Sequence, residues 1–227
     1  MDTLLPELAL KPQPGRPAAA YFDNASEVWL EIGFGAGEHL LWHASAHPHI
    51  GIIGVEPYVA GIAKLLSKLN SLSPAGEGQG LSRRSPSAKA DEGAVSPPRH
   101  RQNIRLYTED ARDVIAALPD ASLSRVFLLF PDPWPKTRHH KRRFVQMEML
   151  DQLARVMRKG AEFRFASDDS GYLVWTLERL SAHPQFAWLA QSPDDWRRRP
   201  ADWPQTRYEA KAIAAGRGCA YLRFARR

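Results

Sequence analysis

An apolar run at residues 28–32 breaks on glycines 33, 35 and 37, gives way to a helical stretch over about 38–46, and is followed by a second apolar run, Ile50-Gly-Ile-Ile-Gly-Val-Glu56. Strand, glycine turn, helix, strand is the unit of parallel sheets, because parallel neighbours need a long crossover and a helix is the usual one. The rest of the chain keeps the same rhythm. Pro57 opens a helix to about Leu69. Strands are expected at 104–108, 126–130 and 162–166, and helices at about 111–118, 147–157 and 171–180. Lys159-Gly160 reads as the stop of the helix that begins at Met147. A short strand at 186–189, a polar Trp/Arg/Pro loop and a strand at 220–224 complete the pattern. With right-handed crossovers, these elements predict a doubly wound α/β sheet, mostly parallel and without internal repeats.

A chain of 227 residues with 44% hydrophobic content buries one sizeable core. Residues 1–20 contain Lys11-Pro-Gln-Pro-Gly-Arg-Pro17 and three alanines, and read as a loosely ordered leader before a single domain over 21–227. Residues 71–101 are rich in Ser, Pro, Gly and Arg and lack apolar periodicity, which reads as a flexible insertion with a basic end.

The formal charge is +6, unevenly spread. Lys136, Arg138, Lys141, Arg142 and Arg143 fall within eight residues without an acid, and Arg197, Arg198, Arg199, Arg207, Lys211 and Arg217 add to them further on. Such clustering is the footprint of a nucleic-acid partner. Cys219 is the only cysteine, so neither an intrachain disulfide nor a cysteine zinc site is available. No apolar run approaches membrane-spanning length, and the expected setting is the cytoplasm.

Gly33, Gly35 and Gly37 let backbone approach a ligand closely at the first turn. The turn by itself serves a dinucleotide or S-adenosylmethionine, although its third glycine comes one place too early for the dinucleotide fingerprint. Glu56, at the end of the second strand, suits both hydroxyls of an adenosine ribose. Asp110, after the third strand, is placed to accept from an adenine amino group. Glu31, inside an apolar strand, needs a donor, and either a bound methionine amino group or the amides of the glycine turn would provide one.

The run Phe130-Pro-Asp-Pro-Trp-Pro-Lys-Thr-Arg-His-His-Lys-Arg-Arg143 follows the fourth strand. Ligands of open α/β sheets bind outside the carboxyl ends of strands, so Asp132, Trp134 and Lys136 stand where chemistry is expected. Prolines 131, 133 and 135 fix φ and make the loop stiff. Trp134 either stacks on a nucleobase or packs a hinge.

Over most of residues 28–224 the chain resembles the bacterial tRNA (guanine-N7-)-methyltransferases. The resemblance rests on Leu30-Glu-Ile-Gly-Phe-Gly-Ala-Gly37, Gly54-Val-Glu56, Phe130-Pro-Asp-Pro-Trp-Pro-Lys136 with the basic run, Phe165-Ala-Ser-Asp168 and Thr206-Arg-Tyr-Glu209. It implies a Rossmann-like sheet with an antiparallel last strand, S-adenosylmethionine as cofactor, and guanine 46 in the tRNA variable loop as target. It assigns Glu31, Glu56, Asp110 and Asp132 to the cofactor, beside the glycines. Lys136, Asp168, Thr206, Arg207, Tyr208 and Glu209 go to the substrate. Arg138, His139, His140, Lys141, Arg142 and Arg143 go to RNA. The insertion at 71–101 is longer than the family's usual connection, and the leader lacks the basic extension that many members carry.

Guanine N7 has a lone pair and no proton, so attack on a sulfonium methyl requires alignment and charge stabilisation more than a general base. Asp132 is the expected catalytic residue, positioning the base and offsetting its developing positive charge. An arginine on O6 and N7 would block the nucleophile, so recognition is expected from N1–H and the 2-amino group, with Asp132, Asp168 or Glu209 accepting. Thr206 and Glu209 also fit a capping box, and both roles are compatible. His39, His43 and His47 recur every four residues, but no acid–histidine motif accompanies them and no metal is expected. A nicotinamide oxidoreductase leaves the basic loop unexplained, and a non-catalytic RNA-binding subunit leaves the four acids unexplained. The expected enzyme works on tRNA without an obligatory protein partner, as a monomer or homodimer.

Overall fold

Alternate residues of the first strand enter opposite layers of the core. In β1 (Glu27–Ile32), Val28, Leu30 and Ile32 pack into one apolar cluster and Trp29 into another, as the two-residue period of a strand requires. The computed structural model describes residues 4–71 and 102–227. Apart from Ser71, the insertion expected at 71–101 lies outside the described residues.

After β1 come α2 (Glu38–Ala46), β2 (Ile50–Val55), α3 (Val59–Ser71), β3 (Ile104–Tyr107), α4 (Ala111–Ala117) and β4 (Leu123–Leu129). Then follow α5 (Met147–Val156), β5 (Met157–Ser167), α6 (Ser170–Ala182), β6 (Phe186–Trp188), α7 (Asp194–Arg197), α8 (Arg207–Ala214) and β7 (Ala220–Arg226). One seven-stranded sheet holds them in the order β3-β2-β1-β4-β5-β7-β6. The pairs among β1 to β5 are parallel, and β7 runs antiparallel to β5 and β6. Every residue of β2 is buried, as expected of a parallel strand covered on both faces. Strand order reverses between β1 and β4, so their carboxyl ends diverge and open a crevice.

Two expectations are corrected. The leader is not loose over its described part. Leu4 and Leu8 of α1 (Leu4–Leu8) are buried with Leu10, Ala9 bridges Leu106, and Leu10 N–H donates to the Leu106 carbonyl at 2.7 Å. Its apolar residues cover the outer edge of β3, where unpaired backbone groups would otherwise stand open. Lys159-Gly160 does not stop a helix either. Helix α5 ends at Val156, and Gly160 (φ +80°) lies within β5 where the register against β4 slips between Leu123 and Arg125. The left-handed conformation read as a helix cap serves an irregularity in a strand.

Candidate active site

The turn after β1 is sewn to its neighbour, with Gly33 N–H donating to the Val55 carbonyl at 2.8 Å. Gly33 (φ +75°) borders a cavity, and a Cβ there would meet nothing within 4 Å. Gly37 (φ +75°) precedes α2, where a Cβ would come within 2.5 Å of Leu65 Cδ1. One glycine leaves room for a ligand, and the other lets α2 and α3 close up. Gly35 N–H donates to Glu56 Oε2 at 2.8 Å, and Tyr58 N–H to Glu56 Oε1 at 2.9 Å. Each of these oxygens keeps a second acceptor site, and Glu56 is part of the cavity wall. Asp110 caps α4, accepting from Arg112 N–H at 2.9 Å and from Arg112 Nη1 at 2.8 Å.

Glu31 behaves differently. It is 3% exposed and stands behind the turn rather than on the cavity wall. His39 Nδ1–H donates to its Oε2 at 2.8 Å, and the Nε2 atoms of His39 and His43 lie 3.1 Å apart. The donor expected from a ligand or from glycine amides is thus a histidine in the first turn of α2, across the glycine turn. Burial, then the neighbouring His39, push the His43 pKa down to about 2, so this ring is neutral. One proton is shared between the two Nε2 atoms, and His43 Nδ1 has no hydrogen-bond partner among the described residues.

Beyond β4 the backbone is strained on both sides of Asp132. Phe130 (φ +51°) and Trp134 (φ +47°) occupy the left-handed region, which bulky residues rarely adopt and which gathers at functional sites. Pro131 and Pro133 lie between them. The Arg142 guanidinium sits 4.8 Å above the Trp134 ring, whose other near neighbour is the His139 ring at 6.0 Å.

Arg143, expected to contact RNA, lies inside the fold. Arg143 is 3% exposed; its Nε donates to the Pro133 carbonyl at 2.9 Å and its Nη1 to the Gly171 carbonyl at 3.2 Å. The rings of Tyr172 and Trp175 lie about 5 Å from its guanidinium. This arginine braces the loop from within. His140 also turns partly inward, against Trp175 at 5.3 Å. Arg138, Lys141 and Arg142 are exposed along a 3-10 turn (Thr137–Arg142). Lys136, just before it, is exposed and lines neither of the cavities described next.

Two cavities meet at the Pro-Asp-Pro loop. One, of about 430 Å³, lies over the ends of β1, β2 and β4 and is bordered by Gly33, Glu56, Asp110 and Asp132. The other, of about 350 Å³, lies across the loop and is bordered by Asp132, Asp168, Asp169, Tyr208, Lys211 and Arg217. Asp132 and Tyr208 belong to both. A third hollow beside α3, bordered by Gly35, Glu56 and Arg207, shares the same two residues.

On the far side Asp168 accepts from Arg217 Nε at 2.6 Å. Thr206 caps α8 by accepting from Glu209 N–H at 3.2 Å. Glu209 itself, expected to face substrate, is 3% exposed; it accepts from the Tyr221 hydroxyl at 2.6 Å and pairs with Arg199 Nε at 2.9 Å. Only the Thr206 half of the capping box forms, because the Glu209 carboxylate is drawn to β7. Burial, then this carboxylate, push the Tyr221 hydroxyl pKa up. Arg207 lies over the Tyr208 ring at 5.3 Å.

Sequence reasoning missed His39, Arg199, Tyr221 and Lys211 as partners of the site. The helical spacing of the histidines and of Arg207 with Lys211 was the available signal.

Residues 25–222 match a methyltransferase family profile. The chain is 47% identical to a tRNA (guanine-N(7)-)-methyltransferase of Rhodospirillum rubrum over 234 residues, covering 100% of this chain and 81% of that one. It is 45% identical to a protein of the same name from Chelativorans sp., covering 100% and 87%. Among solved structures it resembles the 16S rRNA methyltransferase KamB, with TM-score 0.56, 13% identity and coverage of 96% and 100%. A 16S rRNA (adenine(1408)-N(1))-methyltransferase from Catenulisporales acidiphilia gives TM-score 0.51, 15% identity and coverage of 89% of each chain.

Proposed function

The chain belongs to the tRNA (guanine-N(7)-)-methyltransferase family, and from that premise we propose that it methylates N7 of guanine 46 in the variable loop of tRNA, with S-adenosylmethionine as donor. The observation that carries this reading is the shared wall: Asp132 borders both cavities.

The first cavity suits the donor. Gly33 leaves open space beside a wall that is apolar at Ile32, Val55 and Leu128 and acidic at Glu56 and Asp110. Glu56 takes the ribose hydroxyls, and Asp110 takes the adenine amino group. Glu31, held by His39, keeps the glycine turn in shape from behind. Bound S-adenosylmethionine supplies a methyl group on a cationic sulfur.

The second cavity takes the guanine, extruded from the tRNA core as base-modifying enzymes require. Asp168 accepts from the N1–H and 2-amino edge, leaving N7 directed at the loop. The N7 lone pair forms the new C–N bond as the C–S bond breaks, and no proton moves. One positive charge passes from sulfur to purine across the neck beside Asp132. A carboxylate there stabilises charge at both ends of the path, so its largest effect comes from holding the reactants in line. Tyr208 closes the neck from the other side, over Gly35. Arg138, Lys141 and Arg142 grip tRNA phosphates without reading sequence. We place the enzyme in the cytoplasm, acting without an obligatory protein partner as a monomer or homodimer. Among the described residues no helix is long and apolar enough to cross a membrane.

The test is nucleoside mass spectrometry of unmodified tRNA incubated with the purified chain and donor. We expect 7-methylguanosine at position 46; another modified nucleoside, or none, would overturn the assignment.

A further inference from the structure

The second cavity is divided by charge. Asp132, Asp168 and Asp169 come from the ends of β4 and β5, whereas Lys211 and Arg217 come from α8 and the turn after it. The carboxylates suit the donor edge of guanine, but methyl transfer gives the two cations no task.

Three features of the cationic wall indicate an anionic ligand. Lys211 is exposed, and its ammonium has no hydrogen-bond or ion-pair partner among the described residues. It lies four residues after Arg207, so two like charges stack on one face of α8, while the intervening Glu209 is buried and held by Tyr221 and Arg199; like charges so spaced weaken a helix unless something else compensates. Arg217 follows Gly216 (φ +71°), whose left-handed backbone turns the chain back towards the cavity. Its pair with Asp168 leaves the two side chains 49% and 25% exposed, and a pair so open to water is weak enough to be exchanged for a phosphate.

We propose that Lys211 and Arg217 form a phosphate subsite for the nucleotide being methylated, holding a phosphodiester next to its ribose while Asp168 and Asp132 hold the base. A cavity of about 350 Å³ suits a nucleotide. The subsite rests on the function proposed above and adds a handle on the extruded residue, independent of the exposed arginines of the 3-10 turn.

The test is a chemical double-mutant cycle. Synthetic tRNA carries a neutral methylphosphonate at one or the other linkage flanking the target guanosine, and methyl transfer is followed with the wild type and with Lys211→Ala. We expect one neutral linkage to lower wild-type kcat/KM about tenfold, Lys211→Ala to cost about the same, and the combination to cost little more than either. Losses that multiply at both linkages, or no loss at either, would overturn the subsite. Lys141→Ala is the control, and its loss should multiply with that of the linkage. A second arm needs no tRNA: the wild type should bind guanosine 5′-monophosphate several-fold tighter than guanosine, and Lys211→Ala should erase the difference. Equal binding by the wild type would count against the subsite. If native tRNA is not methylated at guanine N7, the functional reading fails; if it is methylated but neither arm shows coupling, only the subsite fails.

Discussion

The Arg143 guanidinium donates to the carbonyl oxygen of Pro133 at 2.9 Å, tying the end of the basic run to the backbone one residue from Asp132. A charge that sequence would assign to RNA holds the Asp132 loop in its strained shape.

Replacing Arg143 by lysine should therefore hurt chemistry more than tRNA binding. Lysine cannot span both the Pro133 and Gly171 carbonyls while stacking between Tyr172 and Trp175. We expect a stability loss of about 1–3 kcal/mol from the unsatisfied buried carbonyls, measured by urea unfolding. Single-turnover methyl transfer should fall about tenfold or more for a loop displaced by a fraction of an ångström. The salt dependence of tRNA affinity should stay at the wild-type slope; a flatter slope would return Arg143 to the RNA surface.

Asp132→Asn keeps the shape of the side chain and removes its charge. With no proton to abstract, the expected loss comes from poorer alignment of the cationic donor and the guanine, on the order of 10²-fold in the single-turnover rate. Folding and donor affinity should change little. A near-normal rate would remove Asp132 from the catalytic role.

Neutralising Arg138 and Lys141 together should weaken all tRNAs by a similar factor. The slope of log affinity against log salt should fall by about one per lost phosphate contact. Filter-binding titrations over a salt series measure both, and an unchanged slope would show that these side chains point away from the RNA.

His43 makes folding sensitive to mild acid. Its folded pKa is depressed to about 2 against 6.5 for the free group, so below pH 6.5 the unfolded chain binds a proton that the folded chain refuses. Its stabilising effect is complete above 6.5 and is lost as the pH falls below it. Between pH 7.5 and 5.5 the wild type should lose about 1.4 kcal/mol more than His43→Gln. The charged and titratable groups facing the ring are His39, His47, Arg125 and Arg164, all of which add in the same direction. Equal losses in the two proteins would refute the assignment.

What could be foreseen follows from periodicity. The alternation of strands and helices and the glycine turn after β1 repeat at fixed spacings, and the sheet follows from them. Contacts made by single side chains across the fold carry no such period. Nothing in the neighbourhood of Arg143 separates it from Arg142, although one is buried and the other exposed. Glu209 shares its motif with Tyr208, yet a partner twelve residues away, Tyr221, turns it inwards. Gly160 carried a correct conformational signal attached to the wrong element, because a left-handed glycine serves a helix end and a strand irregularity alike. Leu4, Leu8 and Leu10 are too few, beside the prolines and alanines of residues 1–20, to show a period of their own.

That short amino-terminal wrap has a practical consequence. By occupying the rim of β3 through Ala9 and Leu10, it denies neighbouring molecules a docking rail for their own strands. A version trimmed to residue 12 should keep its sheet and its cavities, yet assemble into larger particles on concentration, visible by light scattering before any activity is lost.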